Sequence, residues 1–228
     1  MRRLFAVATA CLLLAACTTT NTKLATEAGI KPPPGARVLL LQPDVQLGML
    51  TAGGVTEPRA DWSQAAQSNL AAQLEAQLGA RSHTLKVLDP EVAMDGRQGQ
   101  LLRLHEAVGQ SILNFSYGPQ KLPTKRGFDW TLGDGVQTLA VEHEADYALF
   151  VRGQGTYASS GRMATAVGMS LLGVSVPLGQ QQIFASLVDL RTGKIVWFNV
   201  AVAGPQADMR EPPGAESLTT SLLANAPL

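Results

Sequence analysis

Apolar and polar positions along the chain fall into short unbroken apolar runs and longer amphipathic stretches, and these define its elements. Arg37-Val38-Leu39-Leu40-Leu41-Gln42 is an apolar run of strand length flanked by breakers, the pattern of a buried strand. Gly53-Gly54 and Pro58 mark a loop. Asp61 then opens a helix, capping its first turn with Gln64 three residues on. Ala66, Leu70, Leu74 and Leu78 recur every four residues, and Gly79 is the stop. His83 to Asp89 alternates like a strand and Pro90 ends it. Leu101, Leu104, Val108 and Ile112 share one face of a second helix over about 97–115, and a third helix is expected between about 131 and 144. Asp146 to Val151 is a second apolar strand. Gln182–Asp189 and Lys194–Val202 form a hairpin across Leu190-Arg191-Thr192-Gly193, followed by a loop over 205–213 and a short helix over 215–225.

Both arms of the hairpin are apolar on both faces: Ile183 and Leu187 against Phe184 and Val188 on one, Trp197 against Val196 and Phe198 on the other. A strand that is apolar on both sides must be covered on both sides. The order of elements therefore predicts an α/β fold: one three-layer domain with a mixed β-sheet flanked by helices, ending in a β-hairpin.

The amino terminus has a different logic. Met1-Arg2-Arg3 is a short basic start, and Leu4 to Ala16 is an apolar run of about thirteen residues, too short to span about 30 Å of hydrocarbon. This is the build of a secretory signal peptide over residues 1–16. Leu14-Ala15-Ala16-Cys17 resembles the lipobox of bacterial lipoproteins, in which the Cys thiol is diacylated and the chain is cut just before it. That resemblance makes Cys17 the lipidation site, with a third acyl chain on the new amino terminus; two or more chains hold a protein stably on a membrane. The resemblance also implies a location: Thr18 follows the Cys, rather than the Asp that often retains such lipoproteins in the inner membrane, so the periplasmic side of the cell outer membrane is expected. Residues 17–36, rich in Thr, Asn and Lys and ending in Pro32-Pro33-Pro34-Gly35, read as a flexible tether. Residues 37–203 are the α/β domain, and 204–228 a C-terminal loop and short helix.

Composition narrows the function classes. The 228 residues carry 18 Lys+Arg and 18 Asp+Glu; without Arg2 and Arg3 the balance is 16 basic against 18 acidic, a net charge of −2. No basic face for nucleic acid is expected. Hydrophobic residues make up 46% of the chain, and the mean hydropathy of +0.08 excludes both a disordered chain and a polytopic membrane protein. Cys11 leaves with the signal peptide and Cys17 takes lipid, so the folded part has no thiol for a disulfide, a metal or a nucleophile.

Candidate chemistry is sparse. His83, His105 and His143 show no zinc-ligand spacing, and no metal or other cofactor is expected. His105 reads as a satisfied imidazole on an amphipathic helix, and His143, between Glu142 and Glu144, as a solvated helix end. Ser170 lies in Gly168-Met169-Ser170-Leu171-Leu172-Gly173, one residue longer than a nucleophile elbow. Gly153-Gln154-Gly155 follows a strand, but no phosphate-binding helix comes after it, so turn glycines at a strand end account for it. Ala164 to Leu178 is a run of fifteen residues without a charge. The first expectation for it is a core helix or a crossover on the sheet; the alternative is a small-residue surface for self-association or membrane contact.

Asp146-Tyr147-Ala148-Leu149-Phe150-Val151, followed by Ala185-Ser186-Leu187-Val188-Asp189-Leu190-Arg191-Thr192-Gly193-Lys194-Ile195-Val196-Trp197, resembles the closing strands of the TolB amino-terminal-like domain. That domain recurs in envelope lipoproteins, including the curli-secretion channel group and a neisserial lipoprotein group. The resemblance spans roughly 37–203, with the recognisable wording at 145–199. It implies a noncatalytic scaffold, not an enzyme, that assembles with itself or with other envelope proteins. The expected function is an accessory or assembly component of a cell-envelope complex. The alternatives are a homo-oligomeric secretion-pore subunit, for which alternating membrane strands are missing, and a periplasmic hydrolase using Ser170.

Overall fold

The computed structural model describes residues 19–25, 32–81, 84–88, 96–203 and 207–228. In chain order the elements are β1 (Thr19–Leu24), β2 (Arg37–Leu41), β3 (Asp44–Leu50), β4 (Thr56–Pro58), α1 (Ala60–Gly79), β5 (Thr84–Leu88) and α2 (Arg97–Ile112). Then come α3 (Gln137–His143), β6 (Tyr147–Ala158), α4 (Ser160–Ser170), β7 (Gln181–Asp189), β8 (Ile195–Ala203) and α5 (Pro212–Leu223). A π-turn over Leu113–Tyr117 prolongs α2, and a 3-10 turn over Asp134–Val136 leads into α3.

The eight strands among the described residues join one mixed sheet in the order β1-β8-β7-β6-β2-β5, with β3 branching from the far half of β6 and β4 paired to β3. The twelve-residue β6 is the spine. Val38–Leu40 pair parallel with Tyr147–Leu149, the chain breaks at Gln42-Pro43, and Asp44–Leu50 resume alongside Arg152–Ala158, again parallel. Proline supplies no ladder donor, which suits it to this break. On its other flank β6 is antiparallel to β7, β7 to β8, and β8 to β1.

The period-two pattern of the hairpin separates two cores. Ile183, Ala185, Leu187 and Trp197 join Leu70, Leu74 and Leu78 of α1 and Leu218 and Leu222 of α5 on one face. Phe184, Val188, Phe198 and Val200 join Leu101 and Ile112 of α2 and Leu139 of α3 on the other. This is the three-layer α/β arrangement that the two-sided apolar strands require. Each buried Leu or Phe contributes about 1.5–3 kcal/mol by leaving water. At the hairpin tip Gly193 has φ +71°, and a Cβ there would stand 2.3 Å from the Gly133 carbonyl oxygen, so only glycine fits. The Asp189 carboxylate accepts from Arg191 N at 2.8 Å and closes the turn.

Several local expectations are corrected. Residues 19–24, given to a flexible tether on composition, form β1, paired from Thr19↔Val202 to Leu24↔Trp197; threonine is a strand former, and the open edge of β8 supplies a partner. The C-terminal helix is no appendage, because Leu218, Leu222 and Leu223 are wholly buried in the α1 core. Asp61 does not cap α1; Arg59 is the cap residue, and Asp61 sits inside the first turn paired with its guanidinium. α1 does end at Gly79, although Ala80 after it stays right-handed and no left-handed cap forms. Gly153 and Gly155 lie inside β6 opposite Ile183 and Gln181, not at its end. A Cβ on Gly155 would come within 3.0 Å of the Gln180 carbonyl oxygen, so the small residue admits the chain returning into β7.

Candidate functional site

β6 changes neighbours from β2 to β3 beside α2, and a cleft of about 340 Å³ opens there, lined by Asp44, Gln46, His105, Glu106, Phe150 and Arg152 among others. It lies at the carboxyl end of β2, the position where open α/β sheets present their crevices. Its central group is Arg152 of β6, whose side chain is only 8% exposed. Arg152 pairs with Asp44 of β3 and, at 2.7 Å, with Glu106 of α2, two carboxylates that are 54% and 43% exposed. One buried guanidinium thus joins three elements, and its Nε has no hydrogen-bond partner.

His105 stands next to Glu106 on α2. Its ring stacks on Phe150, with centroids 4.2 Å apart and planes 18° apart, and its Nε2 shares a hydrogen bond with the Ser186 hydroxyl of β7. Burial, assisted by the charge on Arg152, pushes the imidazole down to about 3. It is therefore neutral at every ordinary pH. Ser186 has no exposed surface. The pair has the atoms of a nucleophile and a base, but the hydroxyl lies inside the sheet. What the pair does in this position is satisfy two polar groups between α2 and β7.

The expectation for the α2 face is shifted by one residue. Leu101, His105, Gly109 and Ile112 face the sheet, whereas Leu104 is exposed. His105 is thus packed inside the fold, a satisfied imidazole with Ser186 as its partner. His143 is half-buried as the last residue of α3, and Glu144 beyond it takes φ +50° as the helix ends. The Ser170 hydroxyl donates to the Val167 carbonyl of its own helix at 2.7 Å. Cys17 and His83 lie outside the described residues. Among the described residues no group of three or more His, Cys, Asp or Glu could hold a metal. Sequence reasoning missed Arg152 and Ser186, although a charge and a hydroxyl inside otherwise apolar strands were a visible signal.

The residues that carry the TolB-like wording have structural work. Asp146 accepts from Arg37 N at 2.9 Å and from its guanidinium at 2.8 Å and 3.2 Å, which holds its carboxyl below the usual carboxylate range and pins β2 beside β6. Near the β7–β8 turn, Lys125, Arg126 and Lys194 border a second cleft with Phe128 and Trp130, and the Lys125 ammonium lies 4.5 Å from the Trp130 ring centre.

The segment expected to pack as a core helix or crossover does neither. α4 and the return to β7 stand off the end of the sheet, with Val167 66%, Leu171 84% and Leu172 75% exposed. Ser159 caps the helix by accepting from Arg162 N at 3.1 Å, and the Arg162 guanidinium donates to the Pro177 carbonyl. The insert is thus an ordered element with its apolar side outward. No helix among the described residues is long and apolar enough to cross a membrane.

No protein-family model and no curated protein matches the chain. Among solved structures it is similar to the PelC dodecamer from Paraburkholderia phytofirmans, at 14% identity over 91% of this chain and 96% of that one, with a TM-score of 0.39. A leucine-to-methionine variant of that dodecamer matches at 14% identity over 90% and 96%, also at 0.39. The LpoB C-terminal domain from Salmonella enterica matches at 15% identity over 78% of this chain and 87% of that one, with a TM-score of 0.30.

Proposed function

We propose that this chain is a noncatalytic envelope lipoprotein. Residues 1–16 direct export and are removed, and Cys17 carries acyl chains in the outer membrane. The α/β domain faces the periplasm as an accessory or assembly component of a cell-envelope complex. The observation that carries this reading is where the lipobox-like Leu14-Ala15-Ala16-Cys17 stands relative to the fold. Cys17 is two residues before Thr19, the first residue of β1, and β1 is paired with β8 along its whole length. At about 3.5 Å per extended residue, an acylated Cys17 is tied within roughly 7 Å of the sheet edge. Such a domain is held at the membrane surface rather than swung on a leash, which suits a part that docks with neighbours there. The polar interior supports the noncatalytic half of the proposal, since His105, Ser186 and Arg152 are engaged as struts between layers.

The test is the intact and native mass of the full chain, gently extracted from membranes in detergent. The expected result is an acyl mass on Cys17 and a monomer, a dimer or a defined assembly with a second envelope protein. An unmodified Cys17 overturns the anchor. A large closed ring formed by the lipidated chain and lost in Cys17→Ser identifies a secretion-pore subunit instead. Turnover in an esterase or glycosidase screen that Ser170→Ala abolishes overturns the noncatalytic reading.

A further inference from the structure

We propose that α4 and the return segment 171–180 insert into the lipid interface of the same membrane leaflet that holds Cys17. This rests on the acylation reading above and adds a second membrane contact to it. The first observation is exposure. Met163, Val167 and Leu171 follow one another at four-residue spacing along one side of α4, and Leu172, Val174 and Leu178 continue the apolar surface, each at least 39% exposed. Val55, in the β3–β4 turn beside α4, is 64% exposed and extends the same tip. From Met163 to Val188 the sequence has no Asp, Glu, Lys or Arg. Of the charges at the base of the tip, Arg59 pairs with Asp61 and Arg210 with Asp208, the Arg162 guanidinium donates to the Pro177 carbonyl, and Glu57 is exposed in β4. Contiguous exposed apolar surface without charge marks an interaction site, and here no described residue of the chain covers it.

The second observation says what covers it. Thr19 stands opposite Val202 in β8, Val202 opposite Gln182 in β7, and Gln182 opposite Gln154 in β6. β1 therefore points its amino end the way β6 points its carboxyl end. β6 runs four residues beyond Gln154 to Ala158, and α4 starts at Ser160. The amino end of β1, two residues after Cys17 in sequence, and the carboxyl end of β6, from which the tip rises, are thus at one end of the sheet, about three strand spacings apart across it, or roughly 14 Å. Acyl chains on Cys17 bring lipid to that end and no other. The eleven residues of α4 cover only about 16 Å, so the helix lies in the interface and does not cross it. The two contacts act together: the acyl chains hold the domain, and the insert fixes which way it faces.

The experiment uses the full chain, acylated in cells and reconstituted into phosphatidylethanolamine–phosphatidylglycerol vesicles. With Cys11 removed and Cys17 acylated, the native chain offers no thiol, so Val167→Cys, Leu171→Cys and, at the opposite end of the sheet, Arg191→Cys each accept one polarity-sensitive dye. The expected result is a blue-shifted emission at 167 and 171 that lipid-borne quenchers reduce several-fold more than at 191. Adding Leu172→Asp to the Val167→Cys chain should abolish that quenching while acylation is retained. Equal, water-like emission at all three sites in a chain that is acylated overturns the insertion alone. Dye uptake by the native chain shows a free Cys17 and overturns the anchor, while the difference between 167 and 191 still reports insertion. Emission that shifts at 167 and 171 without vesicles, and grows with protein concentration, shows a second copy on this surface and overturns the lipid assignment.

Discussion

Residues 160–180 and residues 181–203 adjoin in the chain and both carry bulky apolar side chains, yet the first stretch is almost wholly exposed and the second almost wholly buried. Hydrophobic content differs too little to account for so complete a change in burial. In the hairpin, bulky β-branched and aromatic residues alternate, and a helical layer meets each face, so every apolar side chain has a partner. The insert spaces its apolar residues with Gly168, Gly173, Gly179 and Pro177, and it emerges past the end of the sheet where neither helical layer reaches. The lesson is that a partner layer decides burial, and a segment without one inside the fold is covered from outside or not at all.

The strongest way to break the contrast is at the centre of the hairpin. Trp197 is fully buried, and Trp197→Ala should cost about 3–5 kcal/mol in urea unfolding followed by circular dichroism. Trp197→Phe should cost clearly less, because the indole Nε1 has no hydrogen-bond partner and its removal relieves an unmet donor. Equal losses for the two variants would contradict that account. Next in size is the Arg152 strut, where the asymmetry of exposure sets the order. Asp44→Asn with Glu106→Gln leaves a buried guanidinium without a counter-charge and should cost about 3 kcal/mol. Arg152→Met removes the buried charge and leaves two carboxylates that water already reaches, so its cost should be about 1 kcal/mol, within the ordinary range of single substitutions. The reverse order would show that the carboxylates, not the guanidinium, are the strained partners.

His105 sharpens the comparison through pH. Its unfolded value is near 6.5 and its folded value about 3, so between these limits the unfolded chain binds a proton that the folded chain refuses. The contribution to stability is complete above about pH 6.5 and is lost as pH falls toward 3. The carboxyls held low in the folded chain, Asp61, Asp146 and Asp208, act below their ordinary value of 3.8, so the fall from 6.5 to about 4.5 isolates the histidine. His105→Phe should flatten that limb of the stability profile. At neutral pH it should cost about 1–3 kcal/mol, because Ser186 is left unpaired inside the sheet. A limb of unchanged slope would mean that another group titrates there.

Much of the fold was legible because its strands are apolar on both faces and its helices carry regular stripes. Ala66, Leu70, Leu74 and Leu78 are the buried face of α1 as their spacing required. The errors share a cause, which is that composition speaks of a residue's tendency and not of its available partner. The threonines of 19–24 looked like leash until β8 offered an edge, and Leu104 looked like core until His105 and Gly109 turned that face by one residue. The candidate site was less legible still. His105 was visible, but Asp44, Glu106 and Arg152 come from three elements far apart in sequence, and Ser186 reaches His105 across 81 residues. Tertiary pairing of that kind leaves no local spacing to read.

The smallest expected effect is the most telling. Replacing Leu171 and Leu172 together by serine should leave urea and thermal unfolding of the unacylated Cys17→Ser chain, in water without detergent, within about 0.5 kcal/mol of its value with both leucines. Both leucines are already three-quarters or more exposed, so the folded state buries little of them and gains little from keeping them. Two buried leucines of the same chain, Leu218 and Leu222 of α5, set the opposite limit, since each is wholly covered and each should cost about 2–5 kcal/mol when cut to alanine. A loss above about 1 kcal/mol from the serine pair would show that the insert packs on the domain, and the surface would then belong to folding. A neutral pair means that the apolar character of 171 and 172 contributes nothing to the fold of the chain itself. Its effect then lies in what the tip meets outside the domain, which in the insertion proposed above is the lipid interface.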